Sequence, residues 1–72
     1  MYPPIKLARL KCGQTLTQVA EAVGTDAGNM SRIENLKQRP SPDMAAKLAY
    51  HFGYAISEIQ ILYPDRFMKR AP

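Results

Sequence analysis

Apolar residues recur at helical spacing in five places along this 72-residue chain, and no run of four or more alternates as a strand would. Ile5, Ala8 and Cys12 stand at i, i+3 and i+7 with Lys6 and Lys11 outside, which predicts a first helix from Pro4 to Cys12 with those three facing inward. Leu16, Val19, Ala20 and Val23 follow the i, i+3, i+4, i+7 pattern without a miss, so a second helix is expected there, with Thr17, Glu21 and Ala22 outward. A third, from about Ala27 to Asn35, buries Met30 and Ile33, and Ala27 in part. Met44, Ala45, Leu48, Ala49 and Phe52 mark a fourth. Ile56, Ile59 and Leu62 mark a short fifth, from Ala55 to Leu62. The tail from Asp65 to Pro72 has no helical period and is the only candidate for a strand.

Boundary residues agree with this division. Pro3-Pro4 opens the first helix with φ already at the helical value, and Gly13 closes it. Thr15 with Gln18 three residues later predicts a capping box, and Asp26 is a good N-cap for the third helix. Between them Val23-Gly24-Thr25 supplies an apolar anchor and a glycine for a left-handed turn position. Two capped helices of about two turns, joined so briefly, cannot pack antiparallel and must cross steeply, which is helix-turn-helix geometry. Ser41 caps the fourth helix with Pro42 at its first position and Asp43 in its first turn; Gly53 ends it, and Pro64 ends the fifth. The expected architecture is all-α, five short helices in one domain over residues 1–64, followed by a basic tail over residues 65–72.

The outer face of the third helix is unusual. Gly28, Asn29, Ser31 and Arg32 fill it, and Gly, Asn and Ser each cost several tenths of a kcal/mol or more inside a helix, where a merely solvated face would carry Glu, Lys, Gln and Ala. Composition narrows the chemistry. Hydrophobic residues make up 46% with no tryptophan, enough for a core of Leu, Ile, Val, Met and Ala. One cysteine and one histidine leave no disulfide framework and no zinc set. Cys12 reads as a small apolar core residue, and His51 as a surface one. No apolar run approaches the ~18 residues of a membrane span, and Met1-Tyr2-Pro3-Pro4 is no signal peptide, so a cytoplasmic location is expected. Ten Lys and Arg against six Asp and Glu give +4, which favours a polyanion partner only modestly. Lys6, Arg9 and Lys11 lie in the first segment; Arg32, Lys37 and Arg39 follow the second capped helix; Arg66, Lys69 and Arg70 crowd the C-terminus. Paired carboxylates in an apolar setting, a Cys/His couple, a glycine-rich phosphate loop and a metal set are all missing from the sequence, so neither enzymatic activity, a cofactor nor a small-molecule ligand is expected.

With these elements in place, the chain resembles the Cro and repressor type of helix-turn-helix proteins from phages and bacteria, the XRE-like family. The resemblance rests on Thr15, Val19-Ala20, Gly24, Met30-Ser31, Ile33-Glu34-Asn35, Pro40-Ser41, Leu48-Ala49 and Phe52-Gly53, and spans roughly Ile5 to Leu62. It implies a lambda-repressor-like five-helix fold and sequence-specific binding of double-stranded DNA, usually by a homodimeric repressor on a palindromic operator. It also implies a partly buried ion pair between Arg9 and Glu34, tying the first helix to the third. Two positions depart from the family pattern. Leu16 replaces the usual phosphate-binding glutamine, which passes that role to Thr17, Gln14 or backbone N–H groups. Leu36 stands where glycine is common, and a leucine at φ > 0 would cost ~1 kcal/mol or more, so the loop is expected to take another path. No separate dimerisation or effector domain is expected.

If the third helix enters the major groove, Asn29 can pair with adenine and Arg32 with guanine O6 and N7. Ala27 and Gly28 would allow close approach, the Ala27 methyl facing a thymine methyl. The plainer reading makes Asn29 a capping residue and Arg32 a solvated charge. Phosphate contacts are expected from the N-terminus of the second helix, with Gln14 and Thr17, and from Ser31, Asn35, Lys37, Gln38 and Arg39; the plainer reading of the loop is a solvated turn. Tyr63 and Phe67, with Ile61, are too apolar for a free tail and either fold back over the core or form a dimer interface. Three functions compete: a homodimeric repressor, with restriction controllers and antitoxins as close variants; a helical protein-interaction module; and a nonspecific nucleic-acid binder. A protein-docking face would need an apolar groove, which Gly28, Asn29, Ser31 and Arg32 make poorly.

Overall fold

Short-range capping decides where four of the five helices begin, and a proline pair opens the first. In the computed structural model, which describes residues 2–68, five α-helices follow one another: α1 (Pro4–Lys11), α2 (Leu16–Val23), α3 (Ala27–Glu34), α4 (Pro42–His51) and α5 (Glu58–Leu62), with a 3₁₀ turn at Pro64–Arg66. The Thr15 hydroxyl accepts from the Gln18 N–H at 3.1 Å, and the Gln18 side chain accepts from the Thr15 N–H at 2.8 Å, so the capping box is complete. Asp26 and Ser41 cap α3 and α4 in the same manner, accepting from Asn29 and Met44 N–H. Among the described residues there is no strand, and the part of the tail expected as a strand candidate forms the 3₁₀ turn instead. Lys69 and Arg70 of the basic tail lie outside the described residues.

The endings of α1 to α4 share one main-chain motif. After α2, Gly24 adopts φ 79°, with its N–H on the Glu21 carbonyl and the Thr25 N–H on the Ala20 carbonyl, the paired bonds of a Schellman ending. Gly13 and Gly53 end α1 and α4 the same way. After α3 the corresponding residue is Leu36, and it too takes the left-handed conformation, at φ 61°, with its N–H on Ile33 and the Lys37 N–H on Arg32. The alternative loop path expected from a leucine here is therefore not taken. Two hydrogen bonds that satisfy otherwise orphaned carbonyls outweigh a strain of about 1–2 kcal/mol. Leu36→Gly is accordingly expected to be about 1 kcal/mol more stable than Leu36→Ala, the reverse of their ranking at a helical position, as urea denaturation of the two variants will show.

Ile5, Val19, Ala20, Val23, Met30, Ile33, Ala45, Leu48, Ala49, Phe52, Ile56 and Ile61 form one buried core. The helix pair α2 and α3 packs together, α4 lies against α2, and α5 bridges α4 and α1. Leu16 and Met44, expected inside, are half-buried at the edge of that core.

Two expectations about burial are corrected. Cys12 is exposed, because it caps the C-terminal end of α1 beyond the margin of the core; the inward position nearest that end is taken by Arg9, drawn in by Glu34 of α3. The fifth helix begins at Glu58, not Ala55, because Ser57 and Gln60 form a second capping box. Ile56 then precedes the helix, and the inward residue is Ile61, 1% exposed, while Ile59 is 54% exposed. Ile61 belongs to the core of a single chain and cannot serve as a dimer contact. Two leucines of α1, Leu7 and Leu10, are exposed.

Candidate nucleic-acid interface

Asp26 starts α3 by accepting the Asn29 N–H at 2.7 Å, which fixes the first turn that presents Ala27, Gly28 and Asn29. Gly28 has little spare room on one side. A Cβ there would stand 3.2 Å from the Asp26 carboxylate, close enough to push the cap aside by a few tenths of an ångström, and 3.6 Å from Arg32 Nη1, an ordinary contact. Asn29 is half-buried and is not itself the cap, which is Asp26: its Nδ2 donates to the Thr25 hydroxyl at 2.9 Å. Its Oδ1 accepts from Gln38 Nε2 at 2.6 Å, and Gln38 Oε1 accepts from Arg32 Nε at 3.2 Å. Thr25, Asn29, Gln38 and Arg32 thus form one chain of side-chain hydrogen bonds across the outer face of α3. Gln38, expected to hold a phosphate, is brought against the two residues expected to read bases.

The remaining expected contacts divide. Arg32 is exposed on α3, and Lys37 and Arg39 are exposed on the turn after it. The Asn35 side chain turns back on its own helix, donating to the Ser31 carbonyl at 2.9 Å and hydroxyl at 3.2 Å, so Asn35 and Ser31 partner each other at the helix end. Thr17 is exposed in the first turn of α2, where the capping box satisfies the Thr15 and Gln18 N–H groups and leaves those of Leu16 and Thr17 without an intrahelical acceptor. Gln14 is half-buried, its Oε1 at 2.8 Å from His51 Nε2, so the sole histidine is a packing partner of the segment before α2 and not a free surface group. Lys6 lies over the Tyr2 ring at 4.2 Å, and Lys11 is exposed.

Beneath the face, Arg9 grips Glu34 with two hydrogen bonds, Nε to Oε2 at 2.7 Å and Nη2 to Oε1 at 3.0 Å. Its Nη1 donates to the Gln14 carbonyl at 2.9 Å, so one guanidinium joins α1, α3 and the entrance to α2. The Glu34 side chain is only 4% exposed and that of Arg9 11%. Hydrogen bonding to Glu34 holds the Arg9 guanidinium above its ordinary pKa, with the Coulombic attraction of the same carboxylate adding to it and burial opposing. Arg9 therefore orients the scaffold and is unavailable to an outside partner.

At the other end, Tyr63 lies between two guanidinium groups, Arg39 at 5.0 Å and Arg66 at 4.6 Å from its ring centre, which ties the turn after α3 to the segment after α5. Tyr63 and Phe67 are 37% and 45% exposed, and Leu36, which lines a groove with Pro40, Leu62 and Pro64, is 47% exposed.

Sequence reasoning missed Thr25 and the bridging role of Gln38. Thr25 stands four residues before Asn29, a spacing at which side chains meet, so it was legible in principle. Gln38 lies nine residues beyond Asn29, past the end of the helix, and no local pattern points to it.

A short capped pair, α2 and α3, set at the surface with a small, polar and basic outer face and an ion pair locking it to α1, defines a helix-turn-helix DNA-binding domain. Residues 5–59 match the model of the helix-turn-helix family, and the chain belongs to that family in its XRE-like form, a DNA-binding transcriptional regulator. No curated protein and no solved structure is significantly similar to it. Among the described residues no helix is long and apolar enough to cross a membrane.

Proposed function

We propose that the chain is a Cro-like repressor that acts as a homodimer on a palindromic operator, within the cytoplasm that a DNA partner implies. What supports this reading most is the outer face of α3, where Asn29 and Arg32 are joined by a shared hydrogen-bonded amide, Gln38, whose sequence neighbours Lys37 and Arg39 are exposed. α3 enters the major groove, Asn29 and Arg32 read base edges, and Ala27 and Gly28 bring the backbone close. The Leu16 and Thr17 N–H groups, the Thr17 hydroxyl, Lys37 and Arg39 hold phosphates on either side. Two copies of α3 stand about 34 Å apart, one turn of DNA. The exposed Tyr63 and Phe67 supply the apolar contact between subunits, and repression follows from occupancy of the promoter, which needs neither ligand nor catalysis. The two-part organisation, a domain over residues 1–64 with a basic tail after it, belongs to the same reading.

Selection of bound sites from random duplex DNA will test it, followed by titration of the selected site at several salt concentrations. The expected site is an inverted repeat. With Lys37 and Arg39 from each of two subunits on phosphates, log Kd should rise with log[salt] with a slope of about 3.5, at about 0.9 per neutralised phosphate contact. Absence of any selected sequence, or a flat salt dependence, would sink the proposal; a single unrepeated half-site would sink its dimeric part.

A further inference from the structure

We propose that Gln38 is a positioning residue for base recognition, setting the orientation of both Asn29 and Arg32, and is not a phosphate contact. The inference rests on the reading of α3 as the recognition helix and goes beyond it by naming what makes its two readers specific. Asn29 Oδ1 needs a donor and Arg32 Nε needs an acceptor, and a primary amide offers both at once from two separate atoms, N–H on one side and C=O on the other. Gln38 supplies them, with Nε2 at 2.6 Å from Asn29 Oδ1 and Oε1 at 3.2 Å from Arg32 Nε. Its placement is fixed by main-chain bonds, because its own N–H and that of Lys37 both donate to the Arg32 carbonyl.

The bonds leave the reading capacity intact. Arg32 keeps Nη1 and Nη2, the pair a fork-shaped contact with guanine O6 and N7 can use, since only Nε is taken. Asn29 keeps one Nδ2 hydrogen and one Oδ1 lone pair, which is what an adenine edge requires, because Thr25 takes the other hydrogen and Gln38 the other lone pair. Both readers thus reach the groove already oriented. Ordering a free, rotamer-rich side chain on binding would lower affinity about 2- to 10-fold for each, a loss felt only at the correct base pair, where the oriented contact forms.

The test compares the selected operator with operators carrying one base pair changed, at the positions assigned to each reader from the Asn29→Ala and Arg32→Ala variants. Gln38→Met keeps the length of the side chain and removes both bonds. Its discrimination should fall about 5- to 10-fold at both positions, with binding to the changed sites and the salt slope near those of the parent. Gln38→Glu keeps an acceptor for Arg32 and loses the donor to Asn29, so discrimination should fall at the Asn29 position alone; the added negative charge weakens all sites equally and cancels in the ratio. Gln38 is exposed, and unchanged thermal melts of both variants will separate these effects from unfolding. If Gln38→Met weakens selected and changed sites by the same factor, or has no effect, Gln38 is not a positioning residue, even while the parent's own preference keeps the recognition reading intact. If the parent shows no preference, or Asn29→Ala and Arg32→Ala leave it unaltered, the recognition reading fails and this inference fails with it.

Discussion

Arg9→Met is expected to destabilise the domain by about 3–5 kcal/mol, as measured by urea or thermal unfolding. The size comes from what is left behind. Glu34, 4% exposed, would keep a buried carboxylate with neither of its guanidinium hydrogen bonds, and the Gln14 carbonyl would lose its donor as well. A 72-residue domain has a total stability of roughly 4–10 kcal/mol, so the variant should be near the edge of unfolding at room temperature. Pairing Arg9→Met with Glu34→Leu should restore most of the loss, because two apolar side chains of suitable volume need no partner. If the single variant is as stable as the parent, the pair contributes nothing and the scaffold role of Arg9 is wrong. The sign with pH is also set. Arg9 has a raised folded-state pKa, so its contribution is full below the unfolded value and is lost only as pH rises through the strongly alkaline folded value. Across the ordinary range above neutrality, the Arg9 contribution should stay constant.

Arg32→Ala and Asn29→Ala carry the other large effect. Each should weaken binding to the selected operator by about 1–3 kcal/mol, roughly 5- to 150-fold, and relax the preference at one base pair in each half-site, as read by fluorescence anisotropy on operators changed one pair at a time. Stability should change little for Arg32→Ala, since the side chain is exposed and its one partner, Gln38, stays solvated. Because the two readers share Gln38, the double variant should lose less than the sum of the singles. Arg32→Ala should leave the salt slope near the parent's, because its guanidinium is assigned to a base edge and not to a phosphate. Operator affinity equal to the parent's in both variants would place recognition on a different face.

The ion pair and the readers are linked through the scaffold. Glu34 ends α3, two residues after Arg32, and Arg9 holds it to α1 and to the carbonyl of Gln14 just ahead of α2. A loss of that grip frees the relative placement of α2 and α3, on which phosphate and base contacts must act together. Arg9→Met should for this reason weaken DNA binding even at temperatures where it remains folded, without changing which bases are preferred.

Much of the fold was legible because it is written in residues within four positions of each other. Thr15 with Gln18, Asp26 before α3, Ser41 with Pro42, and the glycines after α1, α2 and α4 each satisfy main-chain groups of their own turn. The spacing of Leu16, Val19, Ala20 and Val23 needs only a helix and a core on one side to become a buried stripe. Ser57 with Gln60 is a signal of the same local kind, overlooked beside the longer apolar pattern, and with it the start of α5 would have been placed correctly.

Other features could not be read at that range. Whether Arg9 or Cys12 turns inward at the end of α1 depends on Glu34, twenty-five residues from Arg9. Leu36 takes a left-handed conformation that its own side chain disfavours, because the end of α3 supplies two carbonyls that need donors. Ile61 rather than Ile59 is buried, because a five-residue helix is too short to average over a period and its rotation is set by packing on α4 and α1. By itself the sequence determined the helices, their caps and the polar character of the α3 face, since those follow from short-range hydrogen bonding and periodicity. Only the tertiary structure decided that Gln38 closes back onto Asn29 and Arg32, because a hydrogen bond between residues nine apart exists only once the turn after α3 has brought them together.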